Sequence, residues 1–280
     1  MRRKRILAVV CVVLVTGCAG WLIPGIQRVR EAAARAKCQC HIGCLALAVH
    51  GYNDSNGSFS ATLPLRNIPP DRRLSWVVGL LPHMEQGTLF KQFAPTLPAD
   101  VTPNAEAADV VLRNLVCPSS DVLDRDVGGR GVPRSSVLQY VGVTGVGEDA
   151  AELEKGPRVG AFGYDRRTRI PDSFPDGLSS SLVLVETAHD PGRWALGGPA
   201  TVRPFLPEAA PHIGPGRPLG GNHAAELGWL WSSGAGMNVA MADGSQRFVR
   251  NTIDPAVLRA LATAAGNDLM PKEWWRTDGN

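Results

Sequence analysis

The chain has 280 residues, 44% hydrophobic and 20% charged, which is enough to bury a core in one or two domains and too apolar for a chain disordered throughout. Its net charge of +3 is uneven: residues 1–30 hold six basic residues and no acid, so residues 31–280 keep 23 basic and 26 acidic ones, a net of −3. A body without excess positive charge excludes nucleic acid as the partner.

Arg2-Arg3-Lys4-Arg5 precedes 22 uncharged residues, Ile6 to Gln27, whose apolar heart is the ten residues from Ile6 to Val15. Ten apolar residues behind a basic cluster match the h-region of a secretory signal, and the whole uncharged stretch is long enough to span a bilayer. Basic residues in front hold that end in the cytoplasm, so the remainder is exported. Two fates stay open. Val15-Thr-Gly-Cys18 resembles a lipobox, with Cys18 as the lipidated residue; the other fate is an uncleaved anchor running on through Trp21–Ile26. Either way residues 1–30 form one unit, a basic n-region with an apolar anchor or lipoprotein signal. Residues 31–280 form an exported head in the cell envelope, including an amphipathic helix over 31–52.

That helix is read from Ile26, Val29, Ala33, Ala36, Cys40, Cys44 and Leu47, apolar or small residues spaced by three and four, which predict one buried stripe. Gly51 and the run Asn53–Gly57 end it. Residues 60–73, with three prolines, read as loop, and Leu74–Leu81 as a helix or strand closed by Pro82. Thr102-Pro103 predicts a helix over Asn104–Asn114 with Thr102 as cap. Val137–Val143 and Leu182–Glu186 read as strands. The Gly/Pro-rich segments 145–180 and 188–222 read as long loops. Met237–Ala242 and Ser245–Val249 flank Asp243-Gly244 and predict a hairpin with a type I′ turn. Asp254-Pro255 opens a helix running to about Ala265, with Val257, Leu258, Leu261 and Ala265 as its buried stripe. The fold expected is α+β: a long N-terminal, membrane-anchored helix packed on a mainly antiparallel sheet head with Gly/Pro-rich loops.

Few residues point to chemistry. Cys38-Gln-Cys-His-Ile-Gly-Cys44 places three thiols and His41 within seven residues, but on one helix Cys40 and Cys44 share a face while Cys38 and His41 share another, so the segment cannot converge four ligands on one zinc ion. Ser119, Ser120, Ser135 and Ser136 lie in no Gly-x-Ser-x-Gly elbow. Gly128-Gly-Arg-Gly131 reads as a flexible turn, and Trp229, Trp231, Trp274 and Trp275 as packing or partner-facing aromatics. No cofactor, metal or catalytic residue is expected.

The segment Leu22-Ile-Pro-Gly-Ile-Gln-Arg-Val-Arg-Glu-Ala-Ala-Ala-Arg-Ala-Lys-Cys38 resembles the start of a large bacterial family of unknown function. Its members have a prepilin-like N-terminus and a C-terminal motif of His, nine residues, then Asp-Gly. The likeness continues in order through Trp76 with Pro82, Glu85 and Gln86; Cys117-Pro118-Ser119; Tyr140–Gly145; Asp176–Ser179 with Glu186; and His223 with Asp243-Gly244, and it covers residues 22–266. Three features depart from it: no acid precedes Glu31, which argues against prepilin-type processing and fibre assembly; Cys40-His41 replaces the family's usual Asn pair after Cys38; and 19 residues rather than nine separate His223 from Asp243. The resemblance implies a pilin-like or pseudopilin-like envelope protein, non-enzymatic, with a structural or interaction role. Its partners would be the membrane, through the N-terminal segment, and envelope proteins or a surface ligand. It also implies a disulfide from Cys117 to the helix, with Cys38 as the family-matching partner, in the oxidising compartment of an exported protein. Two other readings stand beside it: a surface-tethered protein that captures a solute or glycan under the Gly/Pro-rich loops, and a metal-dependent enzyme using His223 and Asp243.

Overall fold

The structure, a computed structural model, describes the backbone of residues 2–119, 136–214, 217–221, 223, 236–268, 270 and 274, and the side chains of the same residues from Gly25 onward except 27 and 28. Cys18 as a side chain, Ser120, Gly128–Gly131, Ser135, Trp229, Trp231 and Trp275 lie outside the described residues.

One helix, α1 (Arg2–Asn56), runs from the basic cluster into the head. At 1.5 Å per residue its 55 residues extend for about 80 Å. It ends where Gly57 turns to φ +72° and donates its N–H to Asn53 O, a left-handed stop that a side chain would resist. Among the described residues no helix is long and apolar enough to cross a membrane.

The buried face of α1 is not the one read from the sequence. Ile26, Val29, Ala33, Ala36, Cys40, Cys44 and Leu47 are all exposed. Cys38, Ile42, Leu45, Ala46, Val49 and Asn53 face the sheet instead. Both sets have helical periodicity. Bulk decided between them, because Ile42, Leu45 and Val49 bury more apolar surface than the alanines and cysteines of the other stripe.

Five strands form one mixed sheet in the order β3-β1-β2-β4-β5: β1 (Tyr140–Val146), β2 (Leu182–Glu186), β3 (Val202–Phe205), β4 (Gly236–Met241) and β5 (Gln246–Arg250). β1 pairs in parallel with β3, and the other neighbours pair antiparallel, so the sheet is mixed. Every residue of β1, β2 and β4 is buried, as strands covered on both faces require. α1 packs on β2, β4 and β5, while a C-terminal helix packs on β1 and β3.

Several elements differ from expectation for identifiable reasons. β3 was hidden inside a predicted loop because it contains Pro204; an edge strand tolerates a residue without an N–H, and β3 is the edge. The helix expected over 104–114 is a single turn, α4 (Asn104–Ala107), without a Thr102 cap. Asn104 is buried and donates to the carbonyls of Ala94, Leu97 and Pro98, tying the chain back instead of extending the helix. The 74–81 segment becomes α2 (Trp76–Leu80), capped by Ser75 Oγ on Val77 N–H, followed by a 3-10 turn through Pro82 and a one-turn helix α3 (Gly87–Phe90). The 237–249 hairpin forms, but only Gly244 in its turn has positive φ, at 81°. Type I′ needs two such residues, so this is a type I turn with Gly244 as the bulge, closed by Gly244 N–H to Met241 O and Met241 N–H to Ser245 O. The last helix, α5 (Pro255–Ala262), is capped by Asp254 on Ala256 N–H and stops three residues early. Thr263 is extended there, and Ala264 donates to Val159 O.

Over β1 the core closes through one aromatic. Phe162 packs its ring against Phe59 (5.1 Å) and Trp76 (5.0 Å). It lies directly on Gly142, where an added Cβ would fall 2.5 Å from the ring. Phe162→Ala is expected to lower stability by about 3–5 kcal/mol, read from urea denaturation of the full chain by tryptophan fluorescence. A loss under about 1 kcal/mol would contradict this packing.

Candidate functional site

A covalent bond fastens the helix to the head. Cys38 on α1 and Cys117 form a disulfide with Cα atoms 5.4 Å apart, closing a sequence separation of 79 residues. This is the pairing that the family resemblance implied. Cys117 N–H donates to Gln139 Oε1 (2.9 Å), which holds the loop beside the start of β1.

Next to the disulfide lies Glu186, the last residue of β2, with 1% of its surface exposed. A carboxylate at that depth needs donors. Asn238 on β4 supplies two, its backbone N–H to Oε2 (2.7 Å) and its side-chain amide to Oε1 (3.0 Å), and the same amide nitrogen reaches Arg35 O on α1 at 3.5 Å. The third neighbour is His223, whose Nε2 is 3.4 Å from Glu186 Oε1 and 3.7 Å from Cys117 Sγ. His223 Nδ1 is 2.6 Å from Oε1 of Glu31, about two turns before Cys38 on α1, and Ser119 Oγ donates to the other Glu31 oxygen (3.2 Å).

Local backbone places His223. Gly220 N–H donates to Glu186 O, and Ala188 N–H to Gly220 O, so Gly220 pairs alongside the end of β2, three residues before His223. Gly221 must be glycine for space: a Cβ there would sit 2.4 Å from Glu186 Oε2. On the α1 side Phe248 stands edge-on to His223 (6.4 Å), and the Arg35 guanidinium lies 4.6 Å from the Phe248 ring centre.

Of the residues singled out from sequence, the structure therefore joins Cys38, Cys117, Ser119, Glu186 and His223. It does not join the rest. Trp76 is a core residue donating Nε1–H to Thr201 O, Pro82 shapes a 3-10 turn, Glu85 is exposed at φ +61°, and Gln86 donates its N–H to Leu81 O. Pro118 is exposed. Asp243 accepts from Ser245 N–H in the hairpin turn, beside Gly244. That turn is five residues along the chain from Asn238, about 15 Å in extended strand, so His223 and Asp243 do not share a site. Cys40 and Cys44 are exposed free thiols, and His41 lies edge-on to buried Tyr140, with its Nδ1 3.4 Å from the phenol oxygen. Sequence reasoning missed Glu31, Asn238 and Gln139. Only Glu31 left a trace, as the first acid of the chain.

A second feature is a cleft of about 670 Å³ beneath the 188–206 segment, within the range usual for small-molecule sites. Pro191, Pro199, Pro204 and Pro218 wall it, with Tyr164 and Leu196. Arg203 on β3, 8% exposed, donates to the carbonyls of Val202 and Asp190 and makes no ion pair among the described residues. Burial pushes its pKa down, while Asp190 and Tyr164 pull it back up in part. Arg193 Nε and Thr144 Oγ1, also on the cleft wall, are buried without a hydrogen-bond partner among the described residues.

The chain belongs to the family described as "Protein of unknown function (DUF1559)", SBP_bac_10, whose model matches residues 27–256. The match takes in every member of the Glu31–Cys38–Cys117–Glu186–His223–Asn238 cluster. No curated protein and no solved structure matches the chain.

For His223, burial acts to lower the pKa, but the carboxylates of Glu186 and then Glu31 outweigh it and the net shift is upward from the ordinary value of about 6.5. Only the imidazolium can donate to both acids. A raised folded pKa stabilises the fold fully below about pH 6.5, and that contribution is lost as pH rises through the folded value. In the disulfide-bonded chain, the urea midpoint should therefore fall as pH rises above about 6.5, and His223→Gln should flatten that slope. An unchanged slope in the variant would show that His223 is not the titrating group.

Proposed function

We propose that the protein is a non-enzymatic, membrane-anchored component of the bacterial cell envelope, pilin-like in layout, whose α+β head is held outside the membrane for interaction. The observation that carries this reading is α1: one continuous helix that begins in the basic cluster Arg2–Arg5, passes through the apolar run Ile6–Val15, and ends stapled into the head by Cys38–Cys117. A cross-link between helix and head suits a protein that has to transmit force or position from the membrane to its head. The disulfide itself favours an oxidising compartment. Closing a loop of this length stabilises by about 4 kcal/mol on the chain-entropy account.

One observation favours a more specific version, a tethered binding protein for a small solute. The 670 Å³ cleft carries a buried guanidinium that makes no close ion pair among the described residues, and two further buried polar atoms without hydrogen-bond partners among them. That chemistry suits an anionic or hydroxyl-rich solute such as a sugar acid. The proline walls give a pre-formed site with little to order on binding.

Two measurements check these readings. Membrane fractionation with mass spectrometry of the mature N-terminus should find the chain in the membrane, either acylated at Cys18 or starting at Met1 or Arg2. Loss of Arg2, Arg3, Lys4 and Arg5 on cleavage would turn the net charge from +3 to −1, visible as an acidic shift in isoelectric focusing. A soluble chain with neither acyl group nor intact N-terminus would overturn the anchored reading. For the cleft, a thermal-shift panel of sugar acids and dicarboxylates should stabilise the wild type, and Arg203→Leu should abolish the shift by at least tenfold in apparent affinity, about 1.4 kcal/mol. Absence of any shift across the panel would remove the anionic-solute version and leave the anchored one standing.

A further inference from the structure

We propose that, in their dithiol state, Cys38 and Cys117 join His223 and Glu186 as a four-ligand zinc site, and that the disulfide and the metal are alternative occupants of the same space. The proposal rests on convergence. One ligating atom from each residue, two Sγ, one imidazole nitrogen and one carboxylate oxygen, can be chosen so that all four lie within 4.8 Å of one another, and all four residues are buried. His223 Nε2 lies 3.4 Å from Glu186 Oε1 and 3.7 Å from Cys117 Sγ. The ligand–ligand edges of a zinc tetrahedron, with bonds of roughly 2.0–2.3 Å, are about 3.3–3.8 Å. Two of the edges are thus already at coordination length. To open the third, the sulfurs move apart by about 1.7 Å, from a covalent bond to a dithiolate spacing.

The surroundings are those a metal site needs. Nδ1 of His223 is engaged by Glu31 at 2.6 Å, which leaves Nε2 directed at the cluster, the carboxylate–histidine arrangement that orients zinc ligands. Both oxygens of Glu186 are positioned by Asn238, and Gln139 holds the backbone of Cys117. A donor set of two thiolates, one imidazole and one carboxylate selects a tetrahedral, borderline-soft ion, which points to Zn2+.

The chemistry balances. Every chain is made with its cysteines as thiols. Binding Zn2+ releases one proton from each thiol and one from Nε2 of the imidazolium, three protons in all. Oxidation by a small-molecule disulfide takes two electrons from the two thiolates. The Cys38–Cys117 bond forms, the oxidant's S–S bond breaks into two thiolates, and Zn2+ is expelled. The cluster would then report the redox state of its compartment by holding either metal or a cross-link.

The test uses the full chain in a Cys40→Ser/Cys44→Ser background, which removes the two exposed free thiols among the described residues. After reduction with a phosphine and anaerobic desalting, Co2+ is titrated in and then displaced by Zn2+. The expected result is one equivalent of Co2+ with the intense visible bands of a tetrahedral thiolate site, displaced by one equivalent of Zn2+, and no binding by the disulfide form. His223→Ala and Glu186→Gln should each weaken Zn2+ by roughly a hundredfold or more, and Glu31→Gln by roughly tenfold to a hundredfold with the cobalt spectrum kept. Should either ligand variant fail to fold, the oxidised-against-reduced comparison of the unsubstituted cluster decides alone. Three outcomes overturn the proposal: a folded dithiol chain that takes up no Co2+, equal uptake by the disulfide form, or a reduced chain that unfolds and does not refold on adding Zn2+.

Discussion

A carboxylate buried at the end of a central strand is the constraint around which the head is arranged. Glu186 has 1% of its surface exposed, and a charge at that depth persists only where donors surround it. Asn238 across the β2–β4 ladder supplies two donors, and His223 stands 3.4 Å away on a segment paired with the end of β2. Once His223 is charged it needs a second acid, and Glu31 on α1 is there at 2.6 Å. The chain of dependence thus runs from the sheet to the helix through three side chains. The disulfide about two turns further along α1 makes the same junction covalent.

That junction and the bulk of the apolar residues select the same face of α1. Cys38 meets Cys117 and Glu31 meets His223 on that face. Ile42, Leu45 and Val49 then follow at helical spacing over β2 and β4, and Asn53 closes the contact by gripping Ile170 through both its amide atoms. The opposite stripe, from Ile26 to Leu47, is left facing outward. At the other edge of the sheet the parallel strand β3 carries Arg203 and one wall of the proline-lined cleft, so the sheet separates two polar sites of different character. One is built around a buried histidine, and the other is open to solvent.

Much of the architecture was legible in the sequence. The long helix, β2, the 237–249 hairpin and the capped C-terminal helix came from apolar periodicity, an Asp-Gly turn and an Asp-Pro start, signals that act over a few residues. Two of the misreadings share a cause, since each depended on contacts outside its own segment. Asn104 looked like the start of a helix but ties back to Ala94, Leu97 and Pro98. Pro204 looked like a loop residue because nothing local says that its strand lies at an edge.

By itself the sequence determined the uneven charge, the basic and apolar N-terminus, the α+β class and the family, and it placed Cys38, Cys117, Glu186 and His223 among the residues to watch. Local patterns and matched motifs are sufficient for these, because each is a property of neighbouring residues or of their order. Only the tertiary structure decided that Glu186, 69 residues from Cys117, and His223, 192 residues from Glu31, meet at one point, and that Asn238 and Glu31 complete the group. The physical reason is that a buried charge selects its partners by distance in space and by unsatisfied hydrogen bonds, and neither quantity is written along the chain.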